Sequence, residues 1–101
     1  MKILEPYRKR IDEIDDRIVD LLAVRIGIIR EVGALKCRED IPAVLKDRVD
    51  EVIERAATRA GEQGINSELV RNLYTLLVDY SCRLEDQIRH ELNSVKKAVG
   101  E

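Results

Sequence analysis

The side chains of this chain that could do chemistry are mostly cations, and one of them stands where an apolar residue belongs. Between Ile11 and Leu35, apolar residues step by three and four: Ile11, Ile14, Ile18, Leu21, Ile28, Val32 and Leu35, with Arg25 in the remaining place. That spacing is the packing seam of a helix. A guanidinium on a packing face is strongly unfavourable unless something anionic meets it. Nothing in the same stretch supplies a carboxylate on that face. Either another helix brings one to Arg25, or a bound anion does.

Other charged residues could join it. Lys36 lies eleven residues after Arg25, close to three full turns, so both project from one face roughly 16 Å apart. Arg8, seventeen residues before Arg25, falls on a different face. One long helix could not easily aim all three at one pocket, but in an entwined dimer Arg8 of one chain can enter the pocket of the other. Arg48 borders the apolar stripe of a second helical stretch, and Ser81 and Glu85 sit one turn apart in a third. Each has a structural reading as well. Arg8 lies among Glu5, Lys9 and Arg10 as a solvated charge would, and Lys36 suits a helix C-terminus. Arg48 could snorkel from the core edge, and Glu85 could pair with Arg89 at i+4. The set holds no nucleophile–base pair, no metal cluster and no Gly-rich phosphate loop. Its chemistry is therefore binding, orientation and charge stabilisation.

The elements that position these residues read as helices. The chain has 101 residues, 45% apolar and 38% charged, with five Gly, two Pro, three Tyr and no Trp or Phe. That fits one all-α domain over residues 1–101. A net charge of −2 argues against general binding to nucleic acid or an anionic membrane. The apolar runs are too short to span a bilayer, and the N-terminus lacks the apolar core of a secretory signal. Cys37 and Cys82 form no CxxC motif and His90 is a lone histidine. No metal site is expected, and two reduced thiols suit the cytoplasm.

Helix one is expected over about 5–38, with Pro6 in its first turn and Gly27 and Gly33 inside it at a helix-propensity penalty of about 1 kcal/mol each. Helix two is expected over about 42–61, opened by Pro42 and closed by the Gly61 to Gly64 stretch. Helix three is expected over about 67–95, with Asn66 as N-cap and Glu68 in the first turn. Tyr74 and Tyr80 are expected in the core and the tail from Ser94 to fray. Helix one, at 1.5 Å per residue, is roughly 50 Å long, whereas a compact domain of this size has a radius of gyration near 13 Å. Its far half needs another chain, so an entwined homodimer is expected.

Taken in order, these residues resemble the small all-helical chorismate mutases, the AroQ class. The likeness runs from about Tyr7 to Ile88. It is carried by Arg8-x-x-Ile11-x-x-Ile14-Asp15, by Leu21-Leu22-Ala23-x-Arg25, by Val32-Gly33-x-x-Lys36, by Pro42 and Arg48, and by Leu73-Tyr74 and Ser81. The order and spacing along three helices are specific where no single piece is. The resemblance implies an entwined homodimer of three-helix protomers with two equivalent sites. Each would rearrange chorismate to prephenate without a cofactor, in the shikimate pathway to the aromatic amino acids. It implies that Arg25 holds one substrate carboxylate and that Arg8 of the partner chain holds the other. Lys36 would donate to the ether oxygen and a carboxylate, Arg48 would line the pocket, and Ser81 would sit at its rim.

Two residues depart from the pattern. Glu85 falls where many members have Gln, the second donor to the ether oxygen. A carboxyl group can donate there only when protonated, so activity is expected to fall as pH rises. Val49 follows Arg48 where typical mutases place a Glu that binds the ring hydroxyl, and Val cannot accept that hydrogen bond. Val49 and the Ile41-Pro42-Ala43 run resemble the isochorismate-pyruvate lyases of the same fold, which release salicylate and pyruvate. The Lys36 to Arg48 spacing follows the mutases. A non-catalytic helical dimerisation or regulatory module is the reading from a different class.

Overall fold

The computed structural model describes residues 1–99. A single 3-10 turn, Lys2–Leu4, leads into α1, Glu5–Arg38; α2 is Lys46–Glu62 and α3 is Ser67–Val99. The all-α, three-helix expectation holds, and no strand occurs among the described residues.

The helix ends have local causes. At the end of α1, Asp40 takes a left-handed φ of 55°. The Ile41 N–H then returns to the Lys36 carbonyl at 2.7 Å and the Asp40 N–H to Cys37 at 3.3 Å. This is a Schellman turn, with Asp where Gly is usual. The end of α2 repeats it with Gly64 at φ +74°. There the Ile65 N–H reaches Ala60 at 2.8 Å and the Gly64 N–H reaches Gly61 at 3.1 Å. Asn66 then caps α3, its Oδ1 accepting from the Leu69 N–H at 3.0 Å.

Two boundaries differ from expectation. Pro42 does not open α2: residues 41–45 form a non-helical strap with a bend at Ala43, and the helix starts only at Lys46, after Leu45 at φ −115°, ψ 98°. Pro bars the residue before it from helical geometry, and the strap is held by tertiary bonds described below. At the other end α3 continues to Val99, past the expected stop at 95, so the stretch from Ser94 to Val99 is helical rather than frayed.

α3 is the central element, with α1 and α2 both packed on it and not on each other. Chain direction runs up, down, up. α1 and α3 are therefore parallel: Arg25 meets Ser81 and Cys37 meets Asn93, both pairs 56 residues apart. α2 returns antiparallel, tied to α3 on its outer side by Arg71, whose guanidinium grips Glu54 at 2.8 and 2.9 Å and also bonds Glu68. These contacts hold Glu54 below its ordinary carboxylate range and raise Arg71.

The face that α1 turns to α3 overlaps its heptad only in part, at half-buried Arg25 and Val32. Buried Gly33, with Leu22, Ile26 and Ile29 half-buried, packs inward. Ile11, Ile14, Ile18, Leu21, Ile28 and Leu35 remain 42–69% exposed. Tyr74 is half-buried, but Tyr80 is 49% exposed and not in the core. Ala43, Ala57, Ala60, Val78 and Leu84 make up the buried apolar set. The radius of gyration is 18.2 Å and the extents are 66 × 30 × 15 Å, against about 13 Å for a compact chain of this length. The chain is a slab with most of its long apolar seam facing out. No described helix is long and apolar enough to cross a membrane.

Candidate functional site

Where the three helices converge, a cleft of about 340 Å³ opens. α1 contributes Arg25, Val32 and Lys36, the strap Ala43 and Leu45, α2 Arg48, Val49 and Val52, and α3 Val78, Ser81, Cys82 and Glu85. Its polar groups come chiefly from α1 and α3. Leu45, Val49 and Val52 make an apolar wall opposite. Six of the seven residues singled out in the sequence (Arg25, Lys36, Arg48, Val49, Ser81 and Glu85) thus line one cleft. Arg8 does not line it: it is exposed on the overhanging N-terminal part of α1, and the seventeen residues to Arg25 correspond to about 26 Å of helix.

Arg25 is half-buried and bonded to a neutral partner. Its Nη1 donates to Ser81 Oγ at 2.7 Å, and Ser81 Oγ donates in turn to the Leu77 carbonyl at 2.8 Å. Among the described residues no carboxylate lies within ion-pair distance of Arg25. Ser81 is only 5% exposed. It is a buried prop for the guanidinium rather than a rim residue, because its proton is committed to Leu77 and its lone pair to Arg25.

Lys36 and Glu85 form the second polar centre. Lys36 Nζ stands 2.7 Å from Glu85 Oε1 and donates to the Ala43 carbonyl at 3.0 Å. Glu85 therefore pairs with Lys36, not with Arg89. Its Oε1 is fully buried and lacks a well-aligned donor despite that short approach, so the contact is mainly coulombic. Arg48 sits at the mouth, exposed and paired with Glu51 one turn on. Cys82 lines the same cleft; burial first, then the charge of Glu85, pushes its thiol up, with Lys36 opposing. A thiol held protonated is a poor nucleophile.

The sequence reading missed the part played by Gly33. A Cβ built there would lie 3.2 Å from Glu85 Cα, 3.3 Å from Ile88 Cδ1 and 3.4 Å from Glu85 Cγ. The bare glycine lets the α1 and α3 backbones touch one turn before Lys36, which brings the ammonium onto Glu85. Its signal in the sequence was a helix-weakening residue inside a long helix, three positions before a candidate ligand-binding lysine.

A half-buried guanidinium and an ammonium in one cleft can hold an anion and stabilise charge that develops on a second oxygen. Among the described residues no cluster of three His, Cys, Asp or Glu could hold a metal. The family model described as chorismate mutase type II matches residues 7–86. A 4-amino-4-deoxychorismate mutase of Streptomyces pristinaespiralis is 31% identical over 83% of this chain and 65% of its own length. Another of that name from Streptomyces venezuelae is 29% identical over 84% of this chain and 82% of its own. A chorismate mutase of Methanocaldococcus jannaschii is 26% identical over 93% of this chain and 95% of its own length.

Proposed function

The chain belongs to the chorismate mutase type II family, and from that premise we propose that its cleft isomerises chorismate to prephenate. The observation that carries the reading is Arg25: a half-buried guanidinium with a serine hydroxyl for a partner, eleven residues from a lysine in the same cleft. The reaction is a one-molecule Claisen rearrangement. The ether C–O bond breaks as a C–C bond forms from the enolpyruvyl arm to the ring, and no atom is gained or lost. No nucleophile, metal or cofactor is required. The pocket has to fold the arm over the ring and stabilise negative charge growing on the ether oxygen. An acceleration of about a millionfold asks for roughly 8 kcal/mol.

Arg25 holds one substrate carboxylate through its fork, held in place by Ser81. Lys36 turns from the Ala43 carbonyl toward the ether oxygen and a carboxylate, and Glu85, when protonated, is the second donor to that oxygen. Arg48 closes the mouth. Arg8 of the partner subunit grips the other carboxylate in an entwined homodimer. The exposed seam of Ile11, Ile14, Ile18, Leu21, Ile28 and Leu35 supports that assembly. Two free cysteines suit a cytoplasmic enzyme.

A second reading concerns the ring substituent. Val49 and Leu45 give the α2 side of the cleft no acceptor for a ring hydroxyl, and two relatives carry the name 4-amino-4-deoxychorismate mutase. On this reading the same rearrangement acts on the 4-amino analogue. Purified protein incubated separately with chorismate, 4-amino-4-deoxychorismate and isochorismate decides between them. Prephenate from chorismate at an enzymatic rate is the expected result. Turnover of the amino analogue in preference, or release of salicylate from isochorismate, overturns the chorismate assignment, and silence with all three overturns the enzyme.

A further inference from the structure

Arg89 is not among the residues that line the cleft, yet it touches the two backbone groups that determine where Lys36 stands. It lies on α3 one turn after Glu85 and is half-buried. Its Nη2 donates to the Lys36 carbonyl at 3.0 Å and also to the Ile41 carbonyl. One guanidinium thereby joins the last turn of α1 to the first residue of the strap. Among the described residues no carboxylate is within ion-pair distance of it. Its charge is met by the carbonyl end of α1, where the helix dipole is negative.

The strap is held from the other side by Lys36 itself, through the 3.0 Å bond from Nζ to the Ala43 carbonyl. An ammonium has three N–H donors; here one bonds the Ala43 carbonyl, and the charge stands 2.7 Å from Glu85 Oε1 without a well-aligned donor between them. An anion entering the cleft competes for those donors. When Lys36 turns to it, Arg89 is the contact that still fixes the strap, and with it buried Ala43 and the cleft residue Leu45.

We infer that Arg89 is a positioning residue for Lys36: it locks the α1 end and the strap so that the ammonium can leave Ala43 for the substrate without the cleft wall following it. The inference rests on the mutase reading above, and its test is built to fail separately from that reading. In the full chain, Arg89→Gln removes the charge and the fork, and Arg89→Lys keeps the charge near the dipole with a single donor head. Amide exchange at Asp40 and Ile41, whose N–H groups close the Schellman turn, reports the strap without any turnover. Arg89→Gln is expected to speed exchange at both by about tenfold or more while mid-α1 amides hold, the effect of losing a charged hydrogen bond. With chorismate, kcat is expected to fall about tenfold to a hundredfold with KM within roughly threefold, and Arg89→Lys to recover part of it.

Unchanged exchange at Asp40 and Ile41 overturns the clamp. Fast exchange with an unchanged kcat, or a rise in KM alone, overturns its link to Lys36. If the wild-type protein does not convert chorismate, the mutase reading fails, and fast exchange still upholds the clamp. Should Arg89→Gln not fold, Arg89→Lys gives both readouts.

Discussion

Replacing Gly33 by Ala tests the steric logic of the site with a single methyl group. The new Cβ would meet the Glu85 backbone at 3.2 Å and Ile88 Cδ1 at 3.3 Å, inside ordinary contact distance. Neither neighbour is the loose end of a polar side chain, so α1 and α3 must separate by a few tenths of an ångström. Overpacking of this kind costs about 1–3 kcal/mol. Alanine returns about 1 kcal/mol through helix propensity. The net effect runs from near neutral to about 2 kcal/mol destabilising, and each kcal/mol lowers Tm by roughly 4–8 °C in a chain of this size. Gly27, in the same helix, has nothing within 4 Å of its built Cβ, so Gly27→Ala should gain the propensity without the clash. Melting curves of both variants at one protein concentration, with kcat/KM for chorismate, make the comparison. Gly33→Ala is expected to melt below Gly27→Ala and to lose several-fold in kcat/KM as the 2.7 Å Lys36–Glu85 approach opens, since misplacement of about 1 Å is enough for a hundredfold. A Gly33→Ala protein that melts as high as Gly27→Ala with full activity would refute the steric reading.

Arg25→Leu should leave Tm unchanged or raised, because apolar replacement of a half-buried unpaired ion is often neutral or stabilising, while kcat/KM falls roughly 10²–10⁴-fold through two lost charge-assisted bonds; thermal melts and initial rates check both halves. Glu85→Gln should retain or raise kcat/KM at neutral pH, because an amide N–H can donate to the ether oxygen; loss of most of the activity at that pH would count against Glu85 as the second donor. Equimolar mixing of Arg8→Ala and Arg25→Ala chains should restore about a quarter of wild-type activity, since half the random dimers are mixed and each has one intact site of two; no recovery after verified exchange would dispose of the shared site. Because Arg71 depresses Glu54, the unfolded chain binds more protons between the two carboxylate values, and stability should rise with pH across that window. The Glu54–Arg71 contribution is then complete above the ordinary carboxylate range and lost as pH falls through the depressed one; Glu54→Gln should flatten the acid limb of urea midpoints against pH.

Much of the molecule is legible in the order of residues, and the illegible parts share a cause. The Asn66 cap and the reversal around Gly64 are local, so they could be read locally. The spacing of Arg25 and Lys36 placed both on one face of α1, and that of Ser81 and Glu85 placed them one turn apart on α3, because helices convert spacing into direction; that these four and Arg48 share a cleft was implied by the family resemblance. Which face of α1 turns to α3 could not be read from its period, since Leu22, Ile26 and Ile29 form as regular a stripe as Ile18, Leu21 and Ile28. Only the close approach at Gly33 decides between them. Pro42 was a misleading signal: Pro suits a first helical turn, but here the strap is drawn out by Lys36 on Ala43 and Arg89 on Ile41, contacts between residues far apart in the chain or aimed by the tertiary fold. Tyr80 carries the period of α3 on a face that the other two helices leave open. Ser81 looked like a rim residue because a hydroxyl by itself does not reveal that its proton is already committed to Leu77.

The constant offset of 56 residues between Arg25 and Ser81 and between Cys37 and Asn93 fixes where this chain can change its length. α1 and α3 advance side by side like two graduated rods, and an inserted or deleted residue in either one, between those marks, would rotate everything beyond it by about 100° and slide it by about 1.5 Å. Such a change would turn either Arg25 or Lys36 away from its partner, whichever lay beyond the break. Compensation would require an equal change in the other rod, a coincidence of two events. The turn around residues 63–66 bears no such constraint from the paired marks, so insertions and deletions should accumulate there and be rare between Arg25 and Lys36.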